Sequence, residues 1–355
     1  MKKLNGALAV SVLALFLLSF LSWRESVVRA QRFERGQKFL PNLNPDEIAE
    51  IEIKKGETKT QLRRSRVDPT AGEAAKDHFV VASADGYPAK NEAINRLIQG
   101  VLGIALEKKI GTSAALDRDL GLEADGAETL ELTLKDAGGQ TMVQFRVGQT
   151  QDGSGTGSYV RRTDRPEDPV YLTSSRVYLA SGDDEFLQDE IVDVKQDQIT
   201  AIRGADFDLV ERGDNLELEG LPAGKKLDSS KLSQLRSLLS YLRFEKHHLA
   251  DAPELQGLAF GDPIQLELED QSGYQLRVAE QGGKHYLQIR GFMAVKQVAV
   301  GPDDSDEKNA ANAEVLARAD AIQGFNELHG SWIYEVSEAV AEKIEMRKRQ
   351  LLEGG

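Results

Sequence analysis

Five histidines, a run of acids, a glycine-serine stretch and one Arg-Gly-Asp triplet are the residues of this chain whose type and spacing could carry chemistry. The histidines are His78, His247, His248, His285 and His329, and none stands in the His-Glu-x-x-His spacing or another recognised zinc-ligand spacing. His247 and His248 are expected just past a helix end, where a cationic ring complements the helix dipole. Asp303-Asp304-Ser305-Asp306-Glu307, with Glu314 eleven residues after Asp303, has the density of a calcium loop. Such a loop needs glycine at its sixth position for the sharp turn, and Lys308 stands there, so the stretch reads as a solvated hairpin loop. Gly153-Ser154-Gly155-Thr156-Gly157 could wrap a phosphate only if a helix opened after it. Tyr159-Val160 reads as strand, which makes the glycines a hairpin tip. Arg212-Gly213-Asp214 sits between Leu209-Val210 and Leu216-Leu218 and reads as a tight turn. No nucleophile elbow, Walker loop or dinucleotide fingerprint occurs. No catalytic, cofactor-binding or metal-ligating residue is therefore assigned, and the chain is expected not to be an enzyme.

Composition narrows the classes further. The chain has 355 residues, enough for two domains, with 40% hydrophobic and 29% charged residues. Cysteine is absent, which removes disulfides, thiol nucleophiles and cysteine-based zinc sites. The formal net charge is −14. Residues 1–40 hold seven basic groups against Glu25 and Glu34, so the remainder is more acidic still. A body of that sign repels phosphate backbones, and nucleic acid is excluded as a partner.

Leu4 to Trp23 carries no charged side chain. Twenty helical residues rise about 30 Å, the thickness of a bilayer's hydrocarbon core. Residues 1–23 are accordingly expected to form an uncleaved transmembrane helix that contacts membrane lipid. The run exceeds the roughly 7–15 apolar residues of a signal peptide, and Val28-Arg29-Ala30, the nearest cleavage-like site, lies well beyond it. Residues 24–45 read as a basic juxtamembrane linker, with Arg24, Arg29, Arg32, Arg35 and Lys38 spaced beside Val27, Val28, Phe33 and Phe39 as on a helix lying at lipid headgroups. Counted alone, these basic residues would place the body in the cytoplasm.

The elements that would position any site are short strands around one helix, and they occur twice. Ile48, Ile51 and Ile53 open a strand turned by Gly56; Phe79-Val80-Val81 follows; Tyr87-Pro88-Ala89 leads into a helix with Ile94, Leu97, Val101 and Ile104 on one face. In the second half Ile199 and Ile202 open a strand, Asp228 is a candidate N-cap, and Leu232, Leu235, Leu239 and Leu242 each lie 138 positions after the first helix face. Gly257-Leu258 and Leu266-Glu267-Leu268 follow Gly121-Leu122 and Leu130-Glu131-Leu132 by 136. Hairpins repeat at Gln144–Val147 with Tyr159–Arg161, and at Gln275–Val278 with Tyr286–Gln288. A tyrosine-bearing strand closes each copy: Val170-Tyr171-Leu172 and Ile333-Tyr334-Glu335. The expected fold is α+β: a transmembrane helix, then two tandem copies of a mainly antiparallel sheet unit with a packed helix. The copies span 46–190 and 191–355, the second with an acidic insert near 302–324. Val336 to Leu352 is expected to be helical and packed.

The Tyr-Pro-Ala turn entering a helix, Leu120-Gly121-Leu122, Tyr159-Val160-Arg161 and Val170-Tyr171-Leu172 resemble the uncharacterised bacterial domain-of-unknown-function family 4340, over roughly residues 46–352. Leu221 departs from the pattern by replacing the tyrosine before Pro222. Members of that family typically carry an N-terminal anchor, and many are encoded beside ABC-transporter components of the gliding-motility type. The resemblance thus implies a body outside the cytoplasmic membrane, periplasmic or extracytoplasmic, with ABC-transporter subunits as partners. It supplies no catalytic residues. The resulting expectation is a membrane-anchored accessory or scaffold of an ABC-type transport or export complex. The alternative is an envelope polymer or glycan-binding module using a cleft between the repeats, against which a 6% aromatic content weighs.

Overall fold

The computed structural model describes residues 35–65, 78–151, 156–213, 215–294 and 305–353. The chain divides into two compact units, the first ending at Gln188 and the second beginning at Asp189. The expected anchor, Leu4 to Trp23, lies outside the described residues. Among the described residues no helix is long and apolar enough to cross a membrane.

Both units are α+β, with large antiparallel sheets and few helices. In the first, β1 (Glu50–Lys55), β2 (Thr58–Ser65), β3 (His78–Val81) and β4 (Tyr87–Pro88) precede helix α1 (Asn91–Gly103). Then come β5 (Leu106–Gly111), α2 (Ala115–Asp119), β6 (Leu130–Lys135), β7 (Thr141–Thr150), β8 (Ser158–Arg162), β9 (Val170–Thr173) and α3 (Asp183–Phe186). The sheet order is β4-β3-β2-β1-β6-β7-β8-β9-β5. Alternation along β1 and its partners sends Ile51, Ile53, Leu62, Leu132, Leu134 and Phe145 inward, each at most 2% exposed. Burial of each such side chain contributes about 1.5–3 kcal/mol. On α1, Ala93, Ile94, Leu97 and Val101 form the buried stripe.

The second unit opens with β10 (Glu190–Val192), β11 (Ile199–Arg203), β12 (Asp208–Arg212) and β13 (Asn215–Leu218), then α4 (Ser229–Arg236), β14 (Leu242–Arg243) and β15 (Lys246–Leu249). It continues with β16 (Ile264–Leu268), β17 (Ser272–Gln281), β18 (Lys284–Met293), α5 (Asp306–His329), β19 (Trp332–Val336) and α6 (Glu338–Ile344). Its main sheet runs β13-β12-β11-β16-β17-β18-β19-β15, which is the order of the first sheet strand for strand apart from β4. Gly282 and Gly283, both at positive φ (62° and 76°), form the two-residue turn between β17 and β18.

The 138-residue spacing holds in the pairing register. Lys109 stands opposite Tyr171, and His247 stands opposite Tyr334. Gly121 and Gly257 both have positive φ, and the leucine after each turns inward, Leu122 fully and Leu258 partly. In each unit a segment ahead of the main sheet is laid against the chain that leaves the helix: Lys38 bridges Ala105, and Glu190 pairs with Arg243.

Four expectations need correction. Residues read as linker pack from Gly36 onward, whose amide donates to the Leu106 carbonyl at 2.6 Å. Phe39 is buried edge-on against Phe145 at 5.4 Å and is not free for lipid. The second helix ends at Arg236, short of Leu239 and Leu242. The Ser237 hydroxyl donates back to the Gln234 carbonyl at 2.8 Å and that of Ser240 to Val194 at 2.9 Å, competing with the helical ladder. Asp228 does cap the helix, accepting from the Ser230 and Lys231 amides. The acidic insert is no hairpin loop. Ser305 accepts from the Lys308 amide at 3.3 Å and opens the 24-residue α5. The C-terminal stretch is only partly helical: Val336 belongs to β19, and α6 buries Ala341 and Ile344.

Candidate functional site

The sequence candidates do not converge. Arg212 and Asn215 pair across the β12–β13 turn with Gly213 at φ 65°; Asp214 lies outside the described residues. Of the glycine-serine run, 153–155 lie outside as well, and Thr156-Gly157 lead directly into β8. Gly157 is needed there for space, since a Cβ would fall 2.0 Å from the Thr173 carbonyl oxygen. Of the acidic run, Asp303 and Asp304 are outside the described residues.

His247 and His248 stand on β15, not after a helix. His247 is buried between Phe244 and Trp332, with ring centroids at 5.6 and 5.2 Å. His248 has Glu254 3.6 Å from Nδ1 and Glu335 3.7 Å from Nε2. The two acids face different ring nitrogens, so the three cannot meet on one ion. Among the described residues no group of three or more His, Asp or Glu side chains could hold a metal.

A concave site exists nonetheless, in the second unit, where α5 meets β17 and β18. Four contacts hold the helix there. Arg318 pairs with Asp270 at 2.5 Å, beside the turn into β17. Phe325 stands edge-on to Tyr274 at 5.0 Å, and burial pushes the Tyr274 hydroxyl pKa up. Gly291 leaves room for Ile322, whose Cδ1 would lie 3.0 Å from a Cβ. Asn326 closes the seam: its Oδ1 accepts the Gly291 amide at 2.8 Å and its Nδ2 donates to the Gly291 carbonyl at 2.9 Å.

The last residue of α5 is His329, 4% exposed, with Nδ1 2.6 Å from the Tyr334 hydroxyl. Its place at a helix C-terminus favours a cation, but burial removes the ring from water and lowers its pKa to about 4. Desolvation wins, and the imidazole is neutral at physiological pH.

Two adjoining hollows, about 650 and 410 Å³, open between α5 and the outward face of β17–β18. Both lie in the size range of ligand clefts. Register puts Gln275 opposite Arg290 and Arg277 opposite Gln288, so these four side chains share one face. Neither guanidinium has a carboxylate partner among the described residues, whereas Arg203 is paired with Glu267 at 2.9 Å and Arg146 with Glu131 at 2.5 Å. Toward the other end the lining turns apolar with Phe292, Met293 and Ile322. With Glu327 also in the lining, such a cleft offers donors, acceptors, two guanidiniums and one carboxylate. The sequence reading recognised the hairpin but missed its outward residues; the polar alternation Gln275/Arg277 and Gln288/Arg290 between buried neighbours was the available signal.

Over residues 80–259, just over half of the chain, the sequence matches the family described as Domain of unknown function (DUF4340), and the chain belongs to that family. The match runs from β3 in the first unit to beyond β15 in the second and stops before the cleft. No curated protein and no solved structure matches.

Proposed function

We propose that this member of the DUF4340 family is a non-enzymatic, single-pass protein of the cytoplasmic membrane whose body lies outside the cytoplasm and serves as an accessory or scaffold of an ABC-type transport or export complex. The uncharged Leu4–Trp23 run supplies the anchor, and the two units are tandem copies of one module. The carrying observation is that repetition. Two sheets share one strand order, and the cleft in the second unit presents amides and guanidiniums beside Glu327 and the apolar Phe292, Met293 and Ile322, a mixed lining suited to a partner.

The test is chemical cross-linking in membranes, detergent solubilisation and affinity purification of the chain. Permease or ATPase subunits should be recovered with it. Recovery of the chain alone would overturn the reading. A reporter fused after Gly355 should be active only outside the cytoplasm, and the protein should resist extraction by salt.

A second reading is favoured by the amides of Gln265, Gln275 and Gln288 at the cleft, which could equally meet sugar hydroxyls: an envelope polymer or glycan-binding module. Specific retention on a glycan array would promote it.

A further inference from the structure

Strand β18 is ten residues long, yet β19 pairs with it only at His285, Tyr286 and Leu287. Past Leu287 its outer edge passes to α5, and Asn326 meets that edge at Gly291 through both peptide groups. Peptide groups of alternate residues in a strand face the same side. Those of Ile289, two residues before Gly291, face the same side, but that residue is only 4% exposed, so its edge is closed to a second strand. Ile289 and His329 line the smaller hollow.

Charge sets what that chain should carry. Arg277 and Arg290 are diagonal neighbours across the hairpin, with side-chain roots roughly 7–8 Å apart. A carboxylate placed between them can accept from both, and charge-assisted bonds of that kind are the strong ones. Glu327 lines the larger hollow with Arg290 but is bonded by the Gln323 amide at 2.8 Å, and among the described residues no carboxylate stands within ion-pair distance of Arg277 or Arg290. At the far end Phe292, Met293 and Ile322 give apolar contact. Phe292 is the aromatic ring of the lining, too little for the stacking on which sugar recognition draws.

We propose that the cleft between α5 and β17–β18 binds an extended, acidic peptide segment of a partner protein. Its backbone bonds to the side-chain amides of Gln275 and Gln288. A carboxylate sits between Arg277 and Arg290, and a neighbouring apolar side chain rests on Phe292, Met293 and Ile322. The proposal rests on the accessory-protein reading for the existence of a partner, but it is tested without one.

The full-length chain in detergent micelles is applied to a cellulose-bound array of ten-residue peptides. One set combines Asp and Glu with apolar residues, and the matched set carries Asn and Gln in their place. The acidic set should retain the protein roughly ten-fold more strongly, and added salt should erode the difference. Arg277→Ala with Arg290→Ala should abolish the preference, and Arg277→Glu with Arg290→Glu should transfer it to a Lys/Arg set, which a folding defect could not do. Equal retention of both sets, or a preference unchanged in the variants, overturns the proposal. So does stronger binding of oligogalacturonate than of acidic peptides, which would give the cleft to a polysaccharide. Loss of peptide preference leaves the cross-linking result untouched, and failure to recover transporter subunits leaves the array result untouched.

Discussion

Tyr334 on β19 holds the ring of His329, the last residue of α5, through a 2.6 Å contact between its hydroxyl and Nδ1. The bond ties the inserted helix to the closing strand of the second unit, and it does so with an imidazole that burial keeps neutral, its pKa lowered to about 4 from 6.5. In the unfolded chain the ring takes up a proton near pH 6.5, and in the folded chain only near 4. Between those values the unfolded state binds more protons, so stability is full above about pH 6.5 and is lost as pH falls toward 4. The upper bound is roughly 3 kcal/mol. Urea unfolding at pH 7, 5.5 and 4 should show the loss, and His329→Gln should remove most of that pH dependence. The carboxylates contribute lower on the scale. Glu50, held down chiefly by its bond from Lys135, and Asp164, where bonds from Arg162 and the Gln144 amide overcome burial, titrate below their ordinary values.

Asn326 should be worth more than an ordinary surface amide. It satisfies both peptide groups of the buried Gly291, and removing it leaves a donor and an acceptor without partners. Asn326→Ala should cost about 1–3 kcal/mol in urea unfolding. Asn326→Asp keeps the acceptor for the amide but sets a carboxylate against the carbonyl. Hydrogen exchange at the Gly291 amide should therefore stay slow in Asn326→Asp and become fast in Asn326→Ala. Equal exchange in both would show that the helix is held elsewhere.

Strands were legible because alternation is a local signal. The copy-to-copy spacing was legible because equivalent core positions took equivalent apolar residues, as Leu130 and Leu266 do. Helix α5 was hidden for the opposite reason. Its inward positions, Asn312, Val315, Ala319, Ile322, Phe325, Asn326 and His329, keep helical spacing, but three of the seven are polar and one is alanine. A reading by apolar periodicity passes over such a stripe, especially behind an acidic run. The docking of Phe39 was hidden because its partners, Phe145 and Tyr171, lie more than a hundred residues away. The cleft arises only once α5 is set beside the hairpin, so its polar residues had no earlier context.

In the first unit, Arg161 is 9% exposed and reaches Asp117 at 2.8 Å and the carbonyl oxygens of Pro166 at 3.1 Å and Thr112 at 3.4 Å. Asp117→Ala leaves that guanidinium enclosed with carbonyl dipoles alone and should cost about 3 kcal/mol. Arg118 and Glu123 form a control one residue along, 3.3 Å apart with side chains 82% and 52% exposed. Glu123→Ala should change stability by less than about 1 kcal/mol. Similar losses in the two variants would mean that burial does not set the strength of the Arg161 pair.

The boundary at Asp189 makes the second unit a candidate for independent folding. Its leading strand β10 pairs with β14, and Ile191, Val192 and Val194 bury their side chains to 5%, 8% and 8% exposure. A fragment of residues 189–355 should unfold in urea as one cooperative transition. A fragment beginning at Gln196 forfeits those three side chains and the β14 pairing, and at about 1.5–3 kcal/mol for each side chain the deficit should be on the order of 5 kcal/mol. That difference places the unit boundary on energetic ground. Equal midpoints for the two fragments would assign β10 to the connection between units, and by the same logic would strip residues 36–40 of their part in the first unit.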